Sequence, residues 1–375
     1  MTRRQPSPIA PDFVSPYPPS WFDRFKSIVE RLPGPPWVAY LVLAAILTLI
    51  LLLAAWATGE YRPGPFLPFH IWIGSQAAYM LGLMHYLDRS AGSALASFRP
   101  VLAKPPRGSG RTEAAVFQDL LYRLTNMPGR WAWIALLAGA AFGFVLTFLI
   151  GPNPETTTMA SLEQTFVAFG FPGLSPALIW FIVVFVALVE AVSATLVVHT
   201  VHQLRMISQV LARHTQLNLY QVQPLYAFSI PTGLTAVGVT LYNYTWFAVA
   251  PGILSVPVSR ALGLFFIAVA VLTFAWPLYG IHRRLATEKK RMIGESTARF
   301  ETAVRELHRR VDKKELREMD DLNKTLASLE IELASLRRIP TWPWEPGTVR
   351  GVALAVLLPL AIWLIQQLLQ PLLAD

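Results

Sequence analysis

A charged segment between two apolar stretches, residues 281–350, constrains the fold of this chain more than any other feature. It holds sixteen of the thirty-two Lys and Arg residues and twelve of the twenty-three Asp and Glu residues. The apolar runs on both sides approach the roughly 20 residues that cross a bilayer as a helix. Because this density of charge cannot lie in hydrocarbon, the segment fixes the side of a membrane on which the flanking helices end.

Seven apolar runs in the sequence predict membrane-spanning helices. A hydrophobic content of 54% and a positive mean hydropathy agree with an integral membrane protein. The second run is the weakest, because Gln76 and two histidines interrupt it. The predicted spans are residues 37–57, 67–87, 131–150, 175–199, 225–249, 261–280 and 351–369.

The basic residues divide unevenly between the two sides of this arrangement. If residues 281–350 are cytosolic and the sides alternate, the inner segments hold thirty Lys and Arg residues and the outer ones hold only Arg62 and Arg260. Cytosolic loops of membrane proteins carry such an excess of positive charge. The sequence therefore predicts a protein of the plasma or inner membrane with a cytosolic N-terminus and an outer C-terminus.

The N-terminal region is Pro-rich and then carries a short amphipathic helix. Ser20 and Asp23 have the spacing of a capping box, and the apolar residues from Trp21 onward share one face with Lys26 opposite. This pattern suits a helix in the headgroup layer or one packed on the protein's own cytosolic surface. The predicted organisation is residues 1–36 (cytosolic Pro-rich segment and amphipathic helix), 37–280 (six-helix transmembrane bundle with cytosolic loop 88–130), 281–350 (cytosolic hairpin and Trp/Pro return) and 351–375 (seventh transmembrane helix and outer C-terminus).

Two apolar seams within residues 281–350 predict a pair of helices. In the second seam, from Met319 to Leu336, apolar residues recur at alternating spacings of three and four residues. Before it, Asp312 is the predicted start of a new helix. The fold class is therefore all-α: a polytopic membrane bundle of seven helices with a cytosolic antiparallel coiled-coil hairpin between helices six and seven. Residues 285–338 are the predicted surface for a second copy or a cytosolic protein partner.

Small residues form a stripe along the third predicted span. Ala135, Gly139, Gly143 and Thr147 recur every four residues, so they lie on one helix face. Such stripes let two helices approach closely in a membrane. We expect this one to pack within the chain, with self-association as the alternative.

Glu190 is the only acidic residue inside the predicted spans. A carboxyl group at that depth is costly unless it is protonated, paired or hydrated. It therefore handles an ion, a proton or a ligand, or it makes a structural hydrogen bond between helices. The polar side chains of the fifth span are its predicted partners: Thr232, Thr235, Thr240, Tyr242, Asn243 and Tyr244.

Histidines mark the inner ends of several predicted helices. His199 and His202 have the spacing of two ligands that face one metal ion. The alternative is that imidazolium groups are stabilised at helix C-termini by the helix dipole. We predict no metal and no cofactor, and the candidate ligands are His85, His199, His202 and His282.

The sequence contains no motif that identifies a reaction. It has no cysteine, and no phosphate-binding loop, nucleophile elbow or zinc-protease helix occurs in it. The basic charge is accounted for by topology, so we expect anionic lipids rather than nucleic acid as partners. The predicted function is a non-enzymatic membrane sensor or scaffold that couples the bundle to the hairpin; the alternative is an ion or small-solute channel or transporter that uses Glu190.

Overall fold

The computed structural model describes residues 13–57, 68–105, 110–149, 176–249, 257–314 and 319–373. Within these ranges the chain is helical and contains no β-strand, which confirms the all-α prediction. The α-helices are α1 (Trp21–Arg31), α2 (Pro36–Ala57), α3 (Pro68–Phe98), α4 (Glu113–Thr125), α5 (Gly129–Leu149), α6 (Pro176–Arg213), α7 (Ser229–Val249), α8 (Pro257–Asp312), α9 (Met319–Arg338) and α10 (Pro346–Leu373).

By length and composition, four helices of the described chain can cross a membrane. They overlap the first, fourth, fifth and sixth predicted spans, and two shorter apolar helices fall on the third and the seventh. α3 covers the second predicted span, but it does not qualify, because buried polar residues such as Gln76 and His85 interrupt its apolar character. The four candidates are Pro36–Ala57, Leu178–Arg213, Gln223–Thr245 and Gly263–Asp312.

α5 and α6 pack face to face through small residues. Gly139 and Gly143 of α5 lie against the α6 backbone, and a Cβ atom added at Gly143 would come within 2.9 Å of the Ala187 Cα atom. Ala135, one turn earlier on the same stripe, is buried as well. The stripe therefore packs within the chain, as predicted, and glycine is required where the backbones approach this closely.

α1 is docked on the other helices. Ser20 and Asp23 form the predicted capping box, in which each side chain accepts a hydrogen bond from the other residue's backbone N–H. The buried face includes Phe22, Lys26 and Val29. The prediction that Lys26 lies on the outward face is wrong, because the helix is rotated so that the lysine side chain enters the interior.

α8 is the longest helix of the described chain. It runs for 56 residues from a candidate membrane span into the charged segment, and Pro277 lies inside it without ending it. At 1.5 Å per residue its length is roughly 84 Å. It ends at Asp312, and α9 begins at Met319. The prediction that the second helix starts at Asp312 is wrong, because α8 continues to this residue.

α9 runs antiparallel to the C-terminal part of α8. The Lys289 Nζ atom donates hydrogen bonds to the carbonyl oxygens of Arg337 and Ile339, each at 2.7 Å. The Ser296 hydroxyl group donates to Glu332 Oε2 at 3.2 Å. Residue numbers fall along α9 as they rise along α8, which establishes the direction of the pair.

The apolar seam of this helix pair is covered unevenly. Leu333 and Leu336 are buried near its base, whereas Leu322 and Leu326 are only half-buried toward the tip. Ile331 is 67% exposed. A regular coiled-coil packing along the whole hairpin therefore stays a prediction.

A column of stacked rings fixes the return from α9 to α10. The Trp342 ring lies 3.9 Å from the His282 ring and 4.3 Å from the Trp344 ring, centroid to centroid. Trp344 in turn stacks on Phe274 at 5.5 Å. His282 and Phe274 belong to α8, so the two tryptophans hold the return segment against that helix.

Candidate functional site

A buried ion pair lies where α1, α3, α4 and α6 meet. The Lys26 Nζ atom is 2.5 Å from Asp88 Oδ2 and donates a second hydrogen bond to the Thr125 carbonyl oxygen at 2.7 Å. Asp23 Oδ1 lies 3.5 Å from the same ammonium group. Burial alone would lower the pKa of Lys26, but the carboxylates of Asp88 and Asp23 outweigh it and the pKa is raised. This lysine is therefore held in its charged form.

The second carboxylate oxygen of Asp88 faces α6. It is 2.9 Å from His199 Nε2 and accepts a hydrogen bond from the Gln203 amide at 3.2 Å. An ionised carboxylate can only accept hydrogen bonds, so Nε2 of His199 carries the proton in this contact. Asp88 thus receives hydrogen bonds from α1 on one side and from α6 on the other.

His85 makes two further polar contacts near this ion pair. His85 Nε2 is 3.2 Å from Glu30 Oε1, and His85 Nδ1 is 2.9 Å from the Tyr40 hydroxyl group. The hydrogen bond from His85 lowers the pKa of Glu30 below its ordinary value, against the opposing effect of partial burial. His85 therefore links α1 and α2 to α3.

Tyr17 fastens the segment before α1 to the same region. Its hydroxyl group donates to the Asn126 carbonyl oxygen at 2.7 Å and lies 3.5 Å from His202 Nε2. The same His202 nitrogen is 2.8 Å from the Arg123 carbonyl oxygen. Burial raises the pKa of Tyr17, so its hydroxyl group stays protonated and able to donate.

The predicted metal-ligand histidines have separate partners. His85 contacts Glu30 and Tyr40, His199 contacts Asp88, and His202 contacts the Arg123 carbonyl group. His282 is stacked on Trp342. Among the described residues, no group of three or more His, Asp or Glu side chains has the arrangement of a metal site.

Glu190 lies on α6 at the close contact with α5. Its Cβ atom would be 2.8 Å from a Cβ atom added at Gly143, and its carbonyl oxygen lies directly over Gly139. Glu190 is half-buried. The glycine stripe therefore provides the space that the glutamate backbone and the first part of its side chain occupy.

The predicted polar partners of Glu190 divide into two groups. The hydroxyl groups of Thr232, Thr235 and Thr240 donate to carbonyl oxygens within α7, as does the Asn243 amide group. Their donors are therefore used by their own helix. Tyr242 lies within electrostatic range of Glu190 and forms a hydrogen bond with Ser193, whereas Tyr244 is half-buried further along α7.

The Lys26–Asp88 pair was not predicted from the sequence. Asp88 follows the last residue of the second predicted span, and Lys26 borders the apolar face of α1 between Phe22 and Val29. A charge that borders an apolar face is usually solvated through its flexible stem, so neither residue stands out alone. One feature of the sequence could have indicated the pair. Lys26 and Asp88 carry opposite charges, each borders an apolar segment, and both lie on the same predicted side of the membrane.

Comparison of the chain with protein-family models, curated proteins and solved structures finds no match. Its function is therefore inferred from its own geometry.

Proposed function

We propose that this chain is a non-enzymatic integral membrane protein that acts as a sensor or scaffold. Seven transmembrane helices would place residues 1–36, 88–130, 200–223 and 281–350 in the cytosol and the C-terminus outside. The uneven distribution of Lys and Arg along the sequence supports this topology. The four candidate spans of the described chain are compatible with it.

The observation that carries the proposal is the continuity of α8. One helix extends from a candidate membrane span to the tip of the charged hairpin. A packed helix resists sharp bending, so a displacement of the membrane end is transmitted to the cytosolic end. The hairpin is thus coupled to the bundle without an intervening flexible linker.

Cationic side chains fasten the base of this hairpin. Arg284 of α8 donates to the carbonyl oxygens of Leu211 and Ala212 at the C-terminal end of α6, at 2.9 and 2.7 Å. A cation at a helix C-terminus is favoured by the helix dipole and satisfies carbonyl groups that lack partners within the helix. With Lys289 bound to the end of α9, the hairpin base is held on both sides.

A spin-label distance measurement in lipid nanodiscs tests this coupling. Labels would replace Tyr220 in the loop after α6 and Ile331 on α9, both of which are exposed. We expect one narrow distance distribution, which broadens when Arg284 and Lys289 are both changed to Gln. The matched control is Lys290→Gln, because Lys290 is exposed beside Lys289. A broad distribution in the unmodified protein would contradict the proposal.

The partner of the proposed scaffold would bind the hairpin, residues 285–338. Val311 and Ile331 support this, because they are apolar and 51% and 67% exposed on a segment that is otherwise highly charged. A photo-crosslinking amino acid at each position tests it in cells. A product of twice the chain mass would identify a second copy, and a different mass would identify another protein. If neither position forms a product, the hairpin does not carry the interaction.

The second candidate function is a channel or transporter that uses Glu190. One observation favours it: Glu190 carries a half-buried carboxyl group inside a candidate membrane span. This carboxyl group interacts electrostatically with Tyr242. Flux of protons and cations into liposomes that contain the protein is the test, with Glu190→Gln as the variant. Transport requires a flux that the variant lacks, and the absence of flux in the unmodified protein would exclude this function for the ions tested.

A further inference from the structure

An open groove of about 1010 Å3 lies between α3, the 3-10 helix Gln223–Phe228 and the start of α10. It is separate from the Lys26–Asp88 pair, although α3 contributes to both. Its α3 wall includes Arg89, Ser93 and Ser97, and Glu345, immediately before α10, lies on another wall.

The α3 wall is a continuous stripe of hydrogen-bonding side chains. Tyr86, Ser90, Ser93 and Ser97 recur at spacings of four, three and four residues, so they lie on one face of the helix. Arg89 borders this face and is exposed. The wall therefore offers several hydroxyl groups and a guanidinium group, which together suit the oxygens of a phosphate group.

The opposite wall changes from polar to apolar along its length. Gln223, Tyr226 and Glu345 lie on the polar part, and Ile230 and Leu234 of α7 form the apolar part. Ile230 is 45% exposed. This gradient suits an amphiphile whose charged group enters the groove and whose hydrocarbon lies along α7.

Buried residues next to the groove-lining residues pack against each other. Phe98 at the end of α3 and Phe228 at the end of the 3-10 helix are both fully buried, and their rings are 5.2 Å apart. The Ser229 hydroxyl group donates to the Tyr226 carbonyl oxygen at 2.7 Å. Because these contacts are made within the protein, the end of α3 and the 3-10 helix are fixed before a ligand binds.

The groove also lies at one end of a candidate membrane span. The span Gln223–Thr245 begins with a residue that lines it, and α10 begins at Pro346 beside it. Tyr86 is near the end of the second predicted span, residues 67–87. In the proposed topology all three features lie at the cytosolic surface of the bilayer, within the headgroup layer.

We propose that this groove binds the phosphoethanolamine headgroup of a membrane phospholipid. Arg89 and the serine hydroxyl groups of α3 would bind the phosphate group, and Glu345 would bind the ammonium group. The lining contains one cation and one carboxylate, which matches a zwitterionic headgroup better than one that is only anionic. The acyl chains would extend along Ile230 toward the hydrocarbon.

Native mass spectrometry of the full chain in detergent tests the assignment. The protein would be titrated with phosphatidylethanolamine, phosphatidylcholine and phosphatidylglycerol of matched acyl chains. We expect one retained phosphatidylethanolamine and binding of the other two lipids that is about tenfold weaker, because neither carries an ammonium group that can donate a charged hydrogen bond to Glu345. Soluble phosphoethanolamine should compete only weakly, since it lacks the apolar part.

Three substitutions locate the binding within the groove. Arg89→Gln and Glu345→Gln should each weaken binding of phosphatidylethanolamine by about tenfold, and Glu345→Gln should also abolish the preference over phosphatidylglycerol. The matched control is Arg99→Gln, because Arg99 lies near the same end of α3 but lines a different cavity. Ser93→Leu should block the groove sterically without removing a charge.

Three results would overturn the proposal. Equal binding of the three lipids would remove the headgroup assignment, and equal competition by soluble phosphoethanolamine would make the ligand a soluble molecule instead of a lipid. Unchanged binding in Arg89→Gln, Glu345→Gln and Ser93→Leu would place the lipid elsewhere. None of these measurements depends on hairpin coupling, so they are separate from the test of the scaffold function.

Discussion

Lys26 and Asp88 are 62 positions apart in the sequence, and their contact holds α1 in place on α3. Both side chains are almost fully buried. Taking two charges out of water is costly, and their mutual attraction offsets the cost only when further hydrogen bonds satisfy the remaining atoms. The Thr125 carbonyl group, His199 and Gln203 supply those bonds.

Removal of one partner should therefore destabilise the fold more than removal of both. We expect Lys26→Met to lower the free energy of unfolding by about 3–5 kcal/mol, because Asp88 is left as an uncompensated buried charge. The double variant Lys26→Met/Asp88→Asn should recover part of that loss. Arg24→Met is the control, since Arg24 is exposed on the same helix. A double variant whose loss equals the sum of the losses in Lys26→Met and Asp88→Asn, measured by denaturation in detergent, would show that the pair is not coupled.

The contact between Glu30 and His85 should depend on pH. The pKa of Glu30 is lowered below its ordinary value of 4.5 in the folded protein, so its contribution to stability is present above about pH 4.5 and is lost as the pH falls further through the folded-state value. The stability difference between the unmodified protein and Glu30→Gln should shrink as the pH is lowered from 6 to 3. A difference that stays constant over this range would contradict the assigned hydrogen bond.

The residues of this site mark the limit of sequence-based prediction. The sequence alone identifies Glu190, because it is an isolated acidic residue within an apolar run. Its position along the helix also follows from the sequence. The burial of Lys26 could not be predicted from the sequence, because it depends on the rotation of α1 about its own axis. A rotation of about 100°, which corresponds to one residue position, moves a side chain from the border of the apolar face to its centre, and only contacts with the other helices decide it.

At the scale of elements, the sequence predicts the existence of the helices better than their limits or their contacts. α3 and α6 extend to Phe98 and Arg213, beyond the predicted span ends at residues 87 and 199. The existence of a break between α8 and α9 follows from the renewed apolar seam, and the close approach of α5 follows from its glycine stripe. The sequence does not predict how much of the apolar seam between α8 and α9 is buried. Leu333 and Leu336 are buried because they lie beside the bundle, whereas leucines at equivalent repeat positions near the tip have fewer neighbours.

The glycine contact predicts a position-dependent effect of one added methyl group. We expect Gly139→Ala to lower the free energy of unfolding by about 1–3 kcal/mol, because the new Cβ atom would overlap backbone atoms of α6 that cannot rotate away. Gly294→Ala is the matched control within α8, where a Cβ atom meets nothing within 4 Å. There alanine should stabilise the helix by up to about 1 kcal/mol. The same effect at both positions would contradict the close packing of α5 and α6.

Two apolar residues of α9 should respond differently to substitution by Asp. Leu336 is fully buried and Ile331 is 67% exposed. Leu336→Asp should open the hairpin base, because a buried unpaired charge costs several kcal/mol, and limited trypsin digestion should then cut the Lys- and Arg-rich segment faster. Ile331→Asp should leave the digestion rate unchanged. Equal protection in both variants would mean that Leu336 does not close the base.

At the scale of the whole molecule, charge and hydrophobicity act together. The apolar helices are compatible with insertion into a membrane. In the proposed topology, the basic segments keep the adjoining helix ends in the cytosol. In the proposed arrangement the Lys26–Asp88 pair, the hairpin base and the groove beside Arg89 all lie on the cytosolic side. The bundle would then communicate with the cytosol through α8 and with the bilayer through the groove.

The most direct test of this account is the sidedness of single cysteines. The chain contains no cysteine, so each substitution introduces one unique thiol group. Cysteines would replace Tyr220 and Asp320 on the proposed cytosolic side and Thr157 and Asp375 on the outer side. In intact cells a membrane-impermeant maleimide should label positions 157 and 375 only, and positions 220 and 320 should react after permeabilisation. Labelling of position 320 in intact cells would contradict the cytosolic hairpin and, with it, the proposed coupling.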